Sequence, residues 1–261
     1  MTMVNSRRRR SVDRLFGNLI AAEGNDIRAP LRDSIAQVGT EAAPTLVAWL
    51  SDPDDLTRWE AINLLGVISP PDAAESVLEF ALGEEERHAR WRAFWAVTRF
   101  DTGVTVPLLR RALRSRKKGR SWRAAMILSM MGMGDAGPFL LDGLNHPDPW
   151  NQWEALCGIK ALGLKGAEQN VGRYLDRDYA SHLRYEATLA LGCIGSPQST
   201  QLLKAALRDQ DPGVRWRAAM SLGRLGPSAL PTLRRRRRKE RDPEVLRQIE
   251  SEIRQQEVWG G

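Results

Sequence analysis

Residues 211–226 read DPGVRWRAAMSLGRLG, and this stretch carries the signals of one complete helix. Asp211 can cap the start of the helix, and Pro212 is tolerated in its first turn. Apolar residues follow at helical spacing, and Gly226 is typical of a helix end. The preceding residues, 199–210, show a second helical spacing of apolar side chains. The sequence therefore predicts a helical hairpin with a first helix, a tight turn and a second helix.

The tryptophan of this stretch belongs to a series of aromatic rings, spaced by 32, 31, 31, 32 and 31 residues. The ring positions are Trp59, Trp91, Trp122, Trp153, Tyr185 and Trp216. An alanine stands two residues after every one of these rings. A fixed period of this length is typical of stacked helical hairpins. We therefore expect an all-α fold, a right-handed α-solenoid of stacked helical hairpins with a period of about 31 residues.

The repeat also sets the expected domain organisation. Residues 26–257 are predicted to form a single solenoid of six ring-bearing repeats between two degenerate terminal repeats. In those terminal repeats, Ala29 and Arg247 take the ring position, and terminal repeats are often atypical because they cap the stack. Residues 1–25 are predicted to be a basic N-terminal tail, disordered over Arg7–Arg10, and a capping helix.

The repeated pattern DPxVRxxAAxxLGxLG resembles the HEAT-like repeat of the phycobilisome-lyase type over roughly residues 26–257. That family includes subunits of phycobilin lyases and related chromophore-handling proteins. The resemblance thus implies two expectations, a bilin or tetrapyrrole as ligand and a second subunit as heterodimer partner. A related group of helical hydroxylases binds iron through His–Glu pairs. This sequence has none, because His88, His146 and His182 are isolated, so we expect no metal site.

On a helical wheel, the residues two, three, six and nine places after each ring form one apolar arc, the predicted core face. The ring lies outside that arc, together with the residues one, four and eight places later. By the resemblance, this side of the second helix lines the concave surface. Two interpretations stay open: the rings form an accessible binding ladder, or they fill the seams between repeats.

The ladder interpretation makes candidate binding residues of the rings and of the side chains that share their face. These candidates are Trp59, Asn63, Trp91, Arg92, Trp95, Trp122, Arg123, Met126, Trp153, Glu154, Tyr185, Glu186, Trp216 and Arg217. Met126 and Trp95 are residue types suited to partner contacts. The glutamates directly after a ring, Glu60 among them, are expected to be solvated charges, and no catalytic partner stands at a fixed spacing from them. An arginine directly before a ring is expected to bond a turn aspartate or a carbonyl of the neighbouring repeat.

The net charge of +7 belongs to the two ends of the chain. Residues 1–10 carry +4 and residues 234–261 carry +3, whereas residues 11–233 are neutral in sum. A nucleic-acid groove along the repeats would require a basic excess in that body. The C-terminal run is either a loosely docked helix or a patch for an acidic surface or nucleic acid. It comprises Arg234, Arg235, Arg236, Arg237, Arg238 and Lys239.

Three functions follow from these patterns. The favoured one is a non-catalytic scaffold whose aromatic groove holds a protein partner. The second, implied by the resemblance, is a phycobilin lyase or chromophore chaperone, so that enzymatic activity stays undecided. The third is a nucleic-acid-binding protein similar to helical-repeat DNA glycosylases, which the neutral repeat body disfavours.

Composition adds an expectation about location. No apolar run is long enough to span a membrane, and the residues after the N-terminal arginines lack the apolar stretch of a secretory signal. The two cysteines, Cys157 and Cys193, indicate no disulfide framework. A reducing, cytoplasmic location is therefore expected.

Overall fold

The computed structural model describes residues 2–259, without the side chains of residues 2–10, 118, 258 and 259. This part of the chain is helical and contains no strand. Its α-helices are α1 Thr2–Ala21, α2 Asn25–Val38, α3 Ala43–Trp49, α4 Asp55–Ile68, α5 Ala74–Gly83, α6 Arg87–Val97, α7 Thr102–Leu113, α8 Lys118–Met130, α9 Gly137–Gly143, α10 Pro149–Leu162, α11 Glu168–Gly172, α12 Ser181–Ile194, α13 Pro197–Ala206, α14 Pro212–Arg224, α15 Leu230–Arg237 and α16 Pro243–Trp259. Short 3₁₀ turns lie at Gly39–Ala42, Pro71–Ala73, Gly134–Ala136, Arg173–Leu175 and Pro227–Ala229.

Consecutive helices pack as hairpins, in which the even-numbered second helix carries the ring position. Contacts between neighbouring hairpins run mainly through the second helices, with α4 against α2 and α6, and with α12 against α10 and α14. The first helices touch more sparsely, as α5 does with α7 and α11 with α13. The all-α fold of stacked helical hairpins that the sequence predicts is confirmed.

The chain divides into two compact units, residues 1–127 and residues 128–261, and the boundary falls within α8. Each unit has its own buried side chains, among them Phe16 and Phe94 in the first and Ile159 and Leu222 in the second. A single continuous solenoid over residues 26–257 stays a prediction.

The ends of several second helices follow the repeated sequence signals, whereas α6 is capped by Glu86 and α12 has no side-chain cap at Ala180. The Asp211 side chain accepts hydrogen bonds from the Gly213 and Val214 amides at 2.8 and 3.3 Å, as a helix cap should. Helix α4 instead begins after Asp54, which accepts from the Thr57 amide at 2.8 Å. At the other end of α4, Ser69 has φ of 48°, in a slot where most of the other repeats have glycine.

The terminal hairpins differ from the sequence expectation. Helix α1 begins at Thr2, so the backbone of residues 7–10 is helical rather than a disordered tail, although those arginine side chains lie outside the described ones. Val12, Phe16 and Leu19 of α1 are fully buried, which makes α1 the first helix of a complete hairpin. At the C-terminus, α15 is docked on α16 and buries Leu233 completely.

Candidate binding surface

The rings share the side of the second helices that lies outside the core, and we call this side the ring face of each unit. The ring face of the first unit is formed by α4, α6 and α8 as far as residue 127, and that of the second unit by α10, α12 and α14. All six ring side chains are half-buried. Each ring is therefore partly covered by protein and presents the rest of its surface.

The residue directly after the ring contacts the preceding repeat in several repeats, as Glu60 does. Glu60 is fully buried and is held by Arg32 of α2, with Nε to Oε2 at 2.8 Å and Nη2 to Oε1 at 2.6 Å. The hydrogen bond to Glu60 outweighs burial and raises the pKa of Arg32 above its ordinary value. This carboxylate is consequently neutralised within the seam and does not reach solvent.

The corresponding glutamates of the second unit are also buried, so the expectation of solvated charges was wrong. Glu154 is 1% exposed and accepts a hydrogen bond from Trp150 Nε1 at 2.9 Å. Glu186 is 5% exposed and binds Lys160 of the preceding second helix. The wheel misplaced them because it considers one core arc, whereas within the second unit α10 also packs on α12, and α12 on α14.

Burial also removes Met126 from the candidate contacts, because its side chain is fully buried. A wheel position outside the core arc is here covered by neighbouring helices rather than by solvent. The positions eight residues after the rings are accessible in most repeats, as Val67, at 57% exposure, and Arg99 show in the first unit. Asn63 is half-buried on the same side.

A cluster of rings and arginines, which we call the Arg92 cluster, dominates the ring face of the first unit. The Arg92 guanidinium carbon lies 5.1 Å from the centroid of the Trp59 ring and 5.4 Å from that of Trp95. Arg99 stacks on Trp95 at 5.8 Å, and Arg32 approaches Trp59 at 5.7 Å. These distances lie within the range of cation–π attraction, about 6 Å. The rings are thus paired with cations across the repeat boundary.

The Arg217 cluster occupies the equivalent place in the second unit. The guanidinium carbon of Arg217 lies 4.5 Å from the Tyr185 centroid and 4.9 Å from the Trp216 centroid. The Nε atom of Arg217 is buried and has no hydrogen-bond partner. Burial, and then repulsion from Arg224, lowers the pKa of Arg217 from its ordinary value. Among the described side chains, no carboxylate is paired with the Arg217 guanidinium.

The other candidate side chains are engaged within their own unit. Arg123 donates from Nη1 to the Leu82 carbonyl at 2.8 Å and from Nη2 to Glu85 Oε1 at 2.9 Å. Trp91 packs on Phe94 with 5.8 Å between ring centroids. Trp122 and Trp153 are half-buried like the other rings.

The arginine before the ring acts as a brace to the next repeat, as the sequence predicts. Arg58 donates to Glu84 at 3.0 Å. Arg184 holds Asp209 with bonds of 2.8 and 2.9 Å, and Arg215 holds Glu240 at 3.0 and 2.9 Å. We call these three pairs the inter-repeat braces. They assign the arginines to structure rather than to ligand binding.

The C-terminal basic patch is only partly neutralised. Arg234 pairs with Glu257 at 2.6 Å, and Arg236 donates from Nε to Glu240 at 3.0 Å. The remaining cations of the run, Arg235, Arg237, Arg238 and Lys239, are exposed.

The described side chains include no metal-binding group, and the Cys157 thiol is not activated. Across residues whose side chains are described, no group of His, Cys, Asp and Glu is arranged to hold a metal ion. The Cys157 sulfur lies 3.3 Å from Glu186, and burial together with this carboxylate raises the pKa of the Cys157 thiol. A thiol with a raised pKa is a poor nucleophile. In the same part of the chain, no helix has the length and hydropathy needed to cross a membrane.

Comparisons with known proteins place the chain by its fold. Comparison with curated protein sequences finds no significant match. YibA of Escherichia coli aligns with a TM-score of 0.58 and 18% identity, over 93% of this chain and 92% of its own. The karyopherin Kap121p in complex with Pho4p aligns with a TM-score of 0.62 and 13% identity, over 93% of this chain and 33% of its own. The CpcE–CpcF complex of phycocyanin lyase from Nostoc sp. aligns with a TM-score of 0.46 and 20% identity, over 82% of this chain and 94% of its own.

The family model of HEAT repeats matches residues 17–96, 43–130, 137–210 and 173–254, which together span most of the sequence. The matched segments contain all six rings and the three inter-repeat braces. The chain therefore belongs to the HEAT-repeat family.

Proposed function

We propose that this protein is a non-catalytic scaffold whose ring faces bind an acidic segment of a protein partner. The observation that supports this function is an imbalance of charge on the ring faces. Their glutamates are buried and hydrogen-bonded, as described for Glu60, Glu154 and Glu186. Arg92 and Arg217, by contrast, have no carboxylate within salt-bridge distance among the described side chains.

The stacked arginines are well placed for such a partner. A guanidinium that lies flat on a ring keeps its N–H donors in the plane, where a carboxylate can accept two of them. Arg99 and Arg224, both exposed, add further positive charge beside the two clusters. The half-buried rings and Val67 offer apolar contacts next to these donors. The complementary segment thus combines acidic with apolar or aromatic side chains.

Protein binding is compatible with this fold, because Kap121p, which shares the fold, is bound to Pho4p in its crystal structure. The partner of the present chain is inferred from the charge and the rings described above, and Kap121p serves only as an example of the fold. The acidic character of the proposed partner segment is the part of the proposal that an experiment can test directly.

A labelled peptide rich in glutamate and leucine is the probe for the test. Replacing Arg92 and Arg99 by glutamine, or Arg217 and Arg224 by glutamine, removes two charges from one ring face while largely preserving size. Each double variant should weaken binding about tenfold or more, since one charge-assisted hydrogen bond contributes about 1.5–3 kcal/mol. Fluorescence anisotropy measures the affinity of the peptide for the full-length chain.

The matched control is K165Q/R177Q, which removes two exposed charges from loops of the second unit. Its affinity for the peptide should equal that of the wild type. Equal weakening by the control, or equally tight binding of a peptide rich in lysine and leucine, would contradict the proposal. A photoreactive residue at Val67 should cross-link the bound peptide, whereas one at Val104 of α7 should not.

The bilin or tetrapyrrole ligand that the resemblance implies stays a prediction, as does a heterodimer partner. Visible absorbance spectra recorded while a bilin is mixed with the protein test the ligand. Spectra that remain unchanged with several bilins and an acceptor globin would contradict the prediction of a bilin ligand.

A further inference from the structure

A small cavity lies between the first helices α13 and α15 of the second unit, on helices that do not contribute to the ring face. Its volume is about 150 Å³. Its lining residues are Lys204, Leu207, Arg208, Thr232, Arg235, Arg236 and Lys239. Five of them are cations and none is acidic, so we call this the cationic cavity.

Most of the charge in the cationic cavity is not neutralised by the protein. Arg236 is bound to Glu240. Among described side chains, Lys204, Arg208, Arg235 and Lys239 have no carboxylate partner within salt-bridge distance. The C-terminal ends of α13 and α15 attract cations through their dipoles, but that attraction is weak at exposed positions and does not cancel four full charges.

An equivalent cavity in the first unit shows the contrast. It lies between α5 and α7, measures about 360 Å³, and contains Glu75, Glu79 and Arg120. Glu79 pairs there with Arg120. The shift of 125 residues that takes Trp91 to Trp216 also takes Glu79 to Lys204. The lining of the first cavity thus has two carboxylates beside the three arginines Arg111, Arg114 and Arg120, whereas that of the second has five cations and a lysine at the position of Glu79.

We propose that the cationic cavity binds the phosphate group of a phosphorylated ligand. A phosphate monoester carries about −1.5 to −2 charges and three acceptor oxygens. It can therefore accept hydrogen bonds from several converging cations, more than a single carboxylate can. The Thr232 hydroxyl supplies a further donor among these cations. The cavity is smaller than the pockets of drug-sized molecules, about 300–1,000 Å³, and is in keeping with a single small anionic group.

Calorimetric titration of the full-length chain tests the site with two sources of phosphate, inorganic phosphate and a phosphoserine peptide, and with the unphosphorylated peptide as reference. The wild type should bind both phosphate sources saturably and the reference not at all. The variant K204E/R235E gives the cavity a carboxylate at the position equivalent to Glu79. It should weaken binding about tenfold or more through the loss of two charge-assisted hydrogen bonds.

The control K165E/R177E changes the net charge equally but lies outside the cavity, and it should retain wild-type affinity. The milder variant T232V, checked by circular dichroism, covers the case in which K204E/R235E does not fold, and it too should weaken binding. No saturable binding by the wild type, or equal losses in both charge variants, would overturn the proposal.

Tight binding of a single-stranded oligonucleotide without binding of inorganic phosphate would also overturn it, in favour of a nucleic-acid backbone site. The acidic peptide used for the ring faces should bind K204E/R235E as it binds the wild type. Failure of the phosphate site and failure of the ring-face proposal are therefore distinguishable.

Discussion

Among individual residues, Gly66 sets how closely α6 approaches α4. A Cβ atom added at Gly66 would lie 2.8 Å from Trp95 Cζ3 and 2.9 Å from the Cβ atom of Ala96. Trp95 therefore occupies its place in the Arg92 cluster because the preceding second helix has no side chain at this point. The sequence shows the glycine and the tryptophan but not their contact, since the two are 29 residues apart and belong to different repeats.

The substitution G66A should destabilise the protein by about 1–3 kcal/mol, because overpacking outweighs the gain in helix propensity. The matched substitution G83A, at the end of α5, adds a methyl group with no atom within 4 Å. It should be neutral or stabilising by less than about 1 kcal/mol. Urea unfolding of both variants checks the difference, and equal free energies of unfolding would contradict the packing described for Trp95.

Among elements, the inter-repeat braces connect three second helices, α4, α12 and α14, to the turn of the next hairpin. The side chains of Arg184 and Asp209 are only 3% and 4% exposed, so they form the most buried of the three braces. A buried pair gives little net stability relative to well-packed apolar residues, but the loss of one partner leaves an unpaired buried charge. The brace thus acts more on the alignment of hairpins than on total stability.

Removal of one member of this brace should be costly. R184A or D209A should each lower the free energy of unfolding by about 3–5 kcal/mol, whereas R184M/D209L should lose far less. Equilibrium unfolding in urea measures all three. A double variant at least as unstable as the sum of the single ones would show that the two charges do not compensate each other.

In the molecule as a whole, the buried carboxylates govern how stability responds to acid. Burial alone would raise the pKa of Glu240, but hydrogen bonds from Arg215, the Asp242 amide and Arg236 outweigh it and lower the pKa to about 2. A carboxylate with a depressed pKa in the folded state stabilises the protein above its unfolded pKa. This contribution is lost as the pH falls from about 4.5 to about 2.

The free energy of unfolding should therefore fall by about 3 kcal/mol across this pH range on account of Glu240 alone. The variant E240Q should be less stable at neutral pH and should show a correspondingly smaller loss on acidification. E257Q is the control, because Glu257 pairs with Arg234 at an exposed position. Parallel pH profiles for E240Q and the wild type would contradict the assignment.

The sequence predicted the helical hairpins, the Asp211 cap and a structural role for the arginines before the rings, since these depend on signals repeated within one period. It did not predict which ring-face residues are buried. A helical wheel describes one helix against one core, and it therefore misses the burial of Glu60 under Arg32 of the preceding repeat and the burial of Glu154 and Met126. The cationic cavity was also missed, because Lys204 and Arg235 come from different hairpins and only the latter belongs to the basic run.

The inter-repeat braces also determine how the length of this protein can change. The Arg184 and Arg215 positions are 31 residues apart, and each arginine takes its acid from the hairpin that follows. Excision of residues 185–215 would join Arg184 directly to Trp216 and leave Glu240 as its acidic partner. A gene that loses or duplicates such a segment in frame leaves each remaining braced arginine with an acid in the hairpin that follows, so the number of repeats can evolve without redesign of the joints.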